Sequence, residues 1–507
     1  MALTSFEFLC FFTVLLGLYY IVPGKIQNIL LLAANLVFCY YAGGKRLLVF
    51  QLFLSIITYI AAILFGKYRE DKKQKWIFIL TVGIVAGGLI ILKYINFFVY
   101  TGRGICELLG FSNSWTTINL IAPLGISFFT LQLLGYFIDV QRKVCPAQMS
   151  FLQYILFATF FPQISSGPIN RYSDMGPQFA LVRKFNYREL TFGLQRMAWG
   201  FFKKLVISER MAVIVNTVYG DYYTYSGFYI VAGVVCFAFQ LYTDFSGYMD
   251  IALGASQALG IQMAENFQTP FFSRSISEYW RRWHITLGTW FKDYVFYPLL
   301  KTGLFIKIGT ISKKYLGKKR GKKVPTYLGM FILWFATGLW HGGSWNFIIG
   351  SGLLHWFYIV AGQILDPMFK KIIKVFKINT DCFSYHLFQS LRTFFMVCIG
   401  FIFFRANSFR DGLMMCRQVF TFNLGVFSLS NFLALGLDIH DLAVGVLSLF
   451  VLLIVSLLKE TMDVREKLAE QNLLFRWGIY YLLIFSILIF GFYGPEYSAN
   501  EFIYENF

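Results

Sequence analysis

Charge is scarce in this chain. Only 14% of its 507 residues are Asp, Glu, Lys or Arg, against 57% hydrophobic, which excludes a soluble globular protein of this length. Paired cysteines are lacking too. Eight occur, among them Cys10, Cys39, Cys236 and Cys398 inside apolar runs, and none stands at C-x-x-C spacing from another, so neither a disulfide framework nor zinc is implied. No G-x-S-x-G elbow, Walker loop, H-E-x-x-H or strand-to-helix G-x-G-x-x-G occurs, which leaves a covalent serine intermediate without motif support. Histidine is sparse, at positions 284, 341, 355, 386 and 440 only.

Long apolar runs such as Leu442–Leu458 are what the sequence does have. A hydrocarbon core takes about 20 apolar residues per helical crossing, and backbone in lipid must satisfy its own hydrogen bonds. The pattern therefore predicts an all-α polytopic membrane protein. Spans are expected near 5–22, 26–42, 47–66, 76–98, 117–138, 190–218, 228–260, 284–300, 327–340, 344–364, 386–404, 442–458 and 476–494, some of them re-entrant or interfacial. Met1–Val22 lacks Lys and Arg and reads as a retained first helix. Residues 150–169 are short and broken by Pro162, Gly167 and Pro168, so that any irregular backbone at membrane depth there has to be buried in protein or line a cavity.

The formal charge of +19 is gathered in short segments between apolar runs: Lys67–Lys75, Lys301–Lys323 and Lys370–Lys377. These read as cytoplasmic anchors rather than a nucleic-acid surface. Counting back from the first of them places the N-terminus outside, with Lys45 and Arg46 as a discrepancy, and the acidic tail Gly494–Phe507 is expected outside as well. Residues 1–507 read as a single membrane domain, with a flexible cytoplasmic basic loop at about 301–325.

Ionisable groups in apolar runs are costly, and three constellations carry them. His341 stands in Gly338-Leu339-Trp340-His341-Gly342-Gly343. A desolvated, neutral imidazole there can accept a proton from an attacking hydroxyl, or it can simply bond a neighbouring helix; polarity alone does not choose. His284 closes Tyr279-Trp280-Arg281-Arg282-Trp283-His284. The tryptophans and Arg282 suit an interfacial anchor, while Arg281 and Arg282 also suit a phosphate-bearing donor with His284 beside the reacting carbonyl. Asp244 and Asp250, six residues apart, need not share a site, and are expected to be buried structural partners of Arg281 or Arg171 before they are expected to orient a histidine.

Taken in order, Pro123-Leu124-Gly125-Ile126-Ser127-Phe128-Phe129-Thr130, Tyr136-Phe137-Ile138-Asp139-Val140, Phe161-Pro162-Gln163, Gly167-Pro168-Ile169, Asp244-Phe245-Ser246-Gly247-Tyr248, Tyr279–His284, Trp340-His341-Gly342 and Phe502-Ile503-Tyr504 resemble the membrane-bound O-acyltransferase (MBOAT) family. The likeness covers most of the chain and is nearest the branch of the bacterial alginate O-acetylation membrane protein. It implies a helical bundle around a central tunnel, His341 as principal catalytic residue and His284 as its companion in one chamber, with Trp340 supporting. It further implies acetyl-CoA as co-substrate, no permanently bound cofactor, no metal, and a bacterial cytoplasmic membrane location with both termini extracytoplasmic. A secreted or cell-envelope polysaccharide is the implied acceptor, reached through a separate extracytoplasmic acetyltransferase. The sister branch, which moves D-alanine towards teichoic acid, and a non-catalytic transporter or scaffold are the alternatives. Two departures from the branch touch donor binding and partner docking: Pro298-Leu299-Leu300, where a Pro-Leu-Gly-Gly run is common, and Glu505-Asn506 in the tail.

Overall fold

The computed structural model describes residues 1–68, 71–112, 114–120 and 122–493, with the backbone alone of Asp71. The expectations for the tail 494–507, including Phe502-Ile503-Tyr504, lie outside the described residues. Among these the architecture is helical throughout and carries no strand, only an isolated antiparallel bridge between Phe267 and Trp283. Among the described residues seven helices are long and apolar enough to cross a membrane, and the chain is an all-α polytopic membrane protein. It divides into two compact units, one built from Met1–Phe201 with Tyr248–Glu265, the other from Phe202–Gly247 with the residues from Asn266 onwards.

The first unit opens with α1 (Phe6–Ile21), whose Ser5 cap accepts from the Phe8 amide. It continues with α2 (Gly24–Lys67), one helix where two spans are expected, kinked at Gly44 with φ +67°. Phe8, Phe12 and Phe38 pack with Phe161 into an aromatic core. The polar residues inside α2 have specific duties. Asn35 accepts from the Phe161 amide at 3.1 Å and Gln51 donates to the Ala158 carbonyl at 2.9 Å, so they satisfy the broken backbone around Pro162 that lipid could not. Then come α3 (Lys72–Leu108), α4 (Ile126–Gln141), α5 (Phe151–Thr159) and α6 (Tyr187–Phe201). The span expected at 117–138 starts later, because Pro123 and a left-handed Gly125 precede α4. A Cβ at Gly125 would lie 2.1 Å from the Ile164 carbonyl oxygen, so the Pro-Leu-Gly motif marks a place where two backbones touch.

In the second unit a widened π-helical turn, Phe202–Ser208, leads into α7 (Glu209–Gly220). Helix α8 (Phe228–Ala258) contributes its residues up to Gly247 here and its remainder to the first unit. Two helices follow, α9 (Ile276–Arg282) and α10 (Ile285–Leu300, π-wound at Lys292–Phe296), so the stretch expected as a span at 284–300 is helical without a break from Ile285 onwards. The basic stretch expected to be a flexible loop is instead helical, α11 (Gly303–Gly321), interrupted only at Gly317. Leu, Lys and Arg are good helix formers, and between them Leu304, Ile306, Ile311 and Tyr315 are exposed. Helices α12 (Val324–His341), α13 (Trp345–Val375, π-wound at Ile348–Leu353), α14 (Phe383–Arg405), α15 (Ile439–Lys459) and α16 (Leu473–Phe490) are the long helices of the rest of the unit.

Glycines press three of these helices together. A Cβ on Gly338 of α12 would lie 2.6 Å from Ile348 Cα, one on Gly352 of α13 would lie 2.5 Å from the Trp334 carbonyl oxygen, and one on Gly400 of α14 would lie 2.8 Å from the Gly350 carbonyl oxygen. In lipid, where no hydrophobic force drives helices together, such close backbone approach is a main source of association.

Candidate active site

His341 is the last residue of α12 and is 2% exposed. The glycine contacts bring α13 against it, and Ser351 Oγ lies 3.1 Å from His341 Nδ1. The same hydroxyl donates to the Phe347 carbonyl at 2.8 Å. One hydroxyl proton cannot serve both neighbours, so the arrangement that satisfies both has Nδ1–H of His341 donating to Ser351. That tautomer leaves the lone pair on Nε2.

His284 reaches the same place by a different route. It stands between α9 and α10 in a left-handed conformation, φ 45° and ψ 51°, a costly backbone for a residue with a Cβ. A short irregular pairing holds it there: Gln268 N–H donates to the Arg282 carbonyl at 2.9 Å and Ile285 N–H to the Asn266 carbonyl at 3.1 Å. Asn266 Oδ1 then takes the Thr286 amide at 3.1 Å and the Thr286 hydroxyl at 2.9 Å, and lies 3.3 Å from His284 Nδ1. An oxygen fixed as acceptor by a backbone N–H requires His284 Nδ1 to be the donor. Its lone pair too is on Nε2.

Trp340 joins the two. Its ring centre is 5.7 Å from that of His284 and 5.4 Å from that of His341, while Phe245 of α8 packs edge-on against His284 at 4.8 Å and Phe404 of α14 against His341 at 5.7 Å. The structure thus brings His284, Trp340 and His341 into one buried aromatic chamber, all within the second unit.

The other sequence candidates have partners of their own or face solvent. Asp244, fully buried, forms an ion pair with Lys204 at 2.5 Å, and Lys204 also meets Glu209 at 2.7 Å; next to it Lys203 donates to Ser246 at 2.9 Å. Asp250, in the first unit, pairs with Arg196 at 2.9 Å, which also holds Glu265. Arg281 is exposed and makes no ion pair with either carboxylate among the described residues. Arg282 is occupied by Glu278 at 3.0 Å and Glu460 at 2.5 Å. Burial would raise the Glu460 carboxyl, but hydrogen bonds from Arg282 and Thr269 outweigh it and hold the group below its usual range. Among the described residues no three His, Cys, Asp or Glu side chains gather to hold a metal.

Sequence reading missed Ser351, Asn266 and the Lys203-Lys204 pair. The lysines had a signal, two adjacent charges in the apolar run Trp199–Ile207.

The family model of membrane-bound O-acyltransferases (MBOAT) matches residues 144–311. The probable alginate O-acetylase of Pseudomonas syringae pv. tomato is 31% identical over 448 residues, covering 86% of this chain and 78% of that protein. The chain belongs to the membrane-bound O-acyltransferase family. It is an acyltransferase of the alginate O-acetylase-like branch. Two further relatives differ in name: the peptidoglycan O-acetyltransferase of Helicobacter pylori, 29% identical over 73% of this chain and 69% of that protein, and the teichoic acid D-alanyltransferase of Bacillus subtilis, 28% identical over 72% of this chain and 93% of that protein.

Proposed function

We propose that this MBOAT protein takes an acetyl group from acetyl-CoA on the cytoplasmic side and passes it outward for O-acetylation of a secreted or cell-envelope polysaccharide, the whole chain acting as one catalytic domain around a tunnel. The observation that carries the catalytic assignment is the shared chamber, in which Nδ1 of both imidazoles is occupied by a fixed acceptor. His341 Nε2 takes the proton from an acceptor hydroxyl as that oxygen attacks the thioester carbonyl. The C–O bond forms, the C–S bond breaks, and the imidazolium returns its proton to the departing thiolate. His284 orients the thioester from the other side of Trp340.

Acetyl is favoured over D-alanine by the names of the relatives with the higher identities. The D-alanyl reading is kept because the Bacillus subtilis protein is matched over nearly its full length; it requires a carrier-protein thioester in place of acetyl-CoA. The basic clusters support cytoplasmic placement of α11 and external termini in a bacterial cytoplasmic membrane, with an extracytoplasmic acetyltransferase as partner. Exposed Arg281 fits a donor phosphate better than Arg282, whose charge is already matched by two carboxylates. Asp244, Asp250 and their cations serve to hold helices.

His341→Ala is expected to give an inserted, folded protein whose acetyl transfer falls by about 10²–10⁴-fold, the typical worth of positioned base catalysis. Polymer acetylation and acetyl-CoA consumption in membranes measure it. Full acetylation in that variant would overturn the assignment.

A further inference from the structure

Tyr327, Trp334 and His341 are spaced by seven residues along α12, so they line one face and rise by about 10.5 Å per step. At the Trp334 level this face meets a third histidine. His355, on α13 and 2% exposed, packs edge-on against Trp280 with ring centres 5.0 Å apart, and its ring centre is 5.9 Å from that of Trp334. Its Nδ1 and the Trp280 Nε1 are both sealed from solvent, and neither has a hydrogen-bond partner among the described residues; the Tyr327 hydroxyl, one step further from His341, is in the same state. Buried polar atoms of this kind are rare, because each leaves its desolvation cost uncompensated. The Tyr327 hydroxyl lies on the α12 face, and the other two atoms belong to rings packed against Trp334 of that face, so all three border the line of residues that leads to His341.

The chemistry of two of them narrows the ligand. An indole N–H only donates, and a neutral imidazole nitrogen can accept, so together they match the carbonyl and N–H of one secondary amide. We propose that Trp280 and His355 clasp the distal amide of a pantetheine-type arm that carries the acyl thioester to His341. In an extended chain of this kind the distal amide lies about eight bonds from the sulfur. At about 1.1–1.2 Å per bond, the advance of an extended peptide chain, that is close to 10 Å, the rise from His341 back to Trp334. The clasp rests on the acyltransferase reading for the identity of its ligand, and it serves a coenzyme A thioester and a carrier-protein thioester alike.

The test is equilibrium binding to the purified full chain in detergent of two labelled thioesters, S-acetylpantetheine, which has both amides, and S-acetyl-N-acetylcysteamine, which keeps only the proximal one. The native protein is expected to prefer the longer probe by about 10-fold or more, the worth of two hydrogen bonds to otherwise unmatched buried groups. His355→Phe and Trp280→Phe, which keep an aromatic ring, should reduce that ratio to about twofold, and His355→Asn, which restores a polar atom near the Nδ1 position, should recover much of it. If His355→Phe fails to fold, Trp280→Phe reads the same ratio. A native ratio near one, or an unchanged ratio in both phenylalanine variants, overturns the clasp even if acetyl transfer is normal. A native ratio of about 10 that collapses in the variants upholds it, and absent acetyl transfer alongside that result faults the proposed activity instead. Competition by acetyl-CoA or by an acetylated carrier protein then tells which source supplies the arm.

Discussion

The two imidazoles of the chamber arrive by opposite means. His341 ends a regular helix and is located by helices packed glycine to backbone, so its position is a property of α12, α13 and α14 together. His284 sits in left-handed backbone between α9 and α10, held by a short backbone pairing with Asn266 and Gln268 and by the Asn266 side chain. The difference teaches that one chamber can combine a scaffold-set group, insensitive to any one hydrogen bond, with a network-set group that a single deletion displaces.

The sharpest way to break this comparison is Asn266→Ala. It strips the acceptor from a buried backbone N–H, a threonine hydroxyl and His284, and releases a strained turn, so a loss of about 2–4 kcal/mol in stability and at least about 10-fold in transfer is expected. Thermal unfolding in detergent and initial rates on acetyl-CoA measure the two losses. Ser351→Ala should do less. It removes the partner of His341 Nδ1 while the glycine contacts stay, so stability should change by about 1 kcal/mol and kcat fall by roughly 10-fold at constant donor KM. If Ser351→Ala costs as much stability as Asn266→Ala, the contrast is wrong.

The smallest effect lies at the rim of the His284 segment. Glu460 and Arg282 are partly exposed, with side chains 32% and 23% accessible, so Glu460→Gln should cost only about 0.5–1 kcal/mol. Its pH signature is more telling than its size. A carboxyl held below its usual value in the fold contributes stability at pH values above the ordinary glutamate pKa of about 4.3 and loses that contribution as pH falls through the depressed value. Melting temperatures recorded from pH 7 down to pH 3 should converge for native and Glu460→Gln proteins at the acid end. Parallel curves would remove the ion pair from the account.

What could be read from the sequence follows the same division. The helical membrane class and His341 were legible because apolar runs and a lone Trp-His-Gly between them are local patterns. His284 was legible only beside its tryptophans and arginines, and its anchor Asn266 was not, being 18 residues away beyond α9 and a 3-10 turn at Pro270–Phe272. Ser351 escaped for a geometric reason: the extended Gly342 and the π-wound turns after Phe347 break the 3.6-residue register that would have linked it to His341. The basic stretch 301–323 reads as a loop by its charge pattern, whereas its Leu, Lys and Arg residues favour the helix that forms there.

The glycine contacts also govern how the chamber can move. Helices whose backbones already touch at Gly338, Gly352 and Gly400 have no side-chain layer between them to slide across or compress, which makes microsecond helix shifts at this junction costly. Under the proposed function, a donor arm passing Trp280 or Trp340 would be admitted by rotation of those indoles, on the timescale of side chains, inside a frame that stays still.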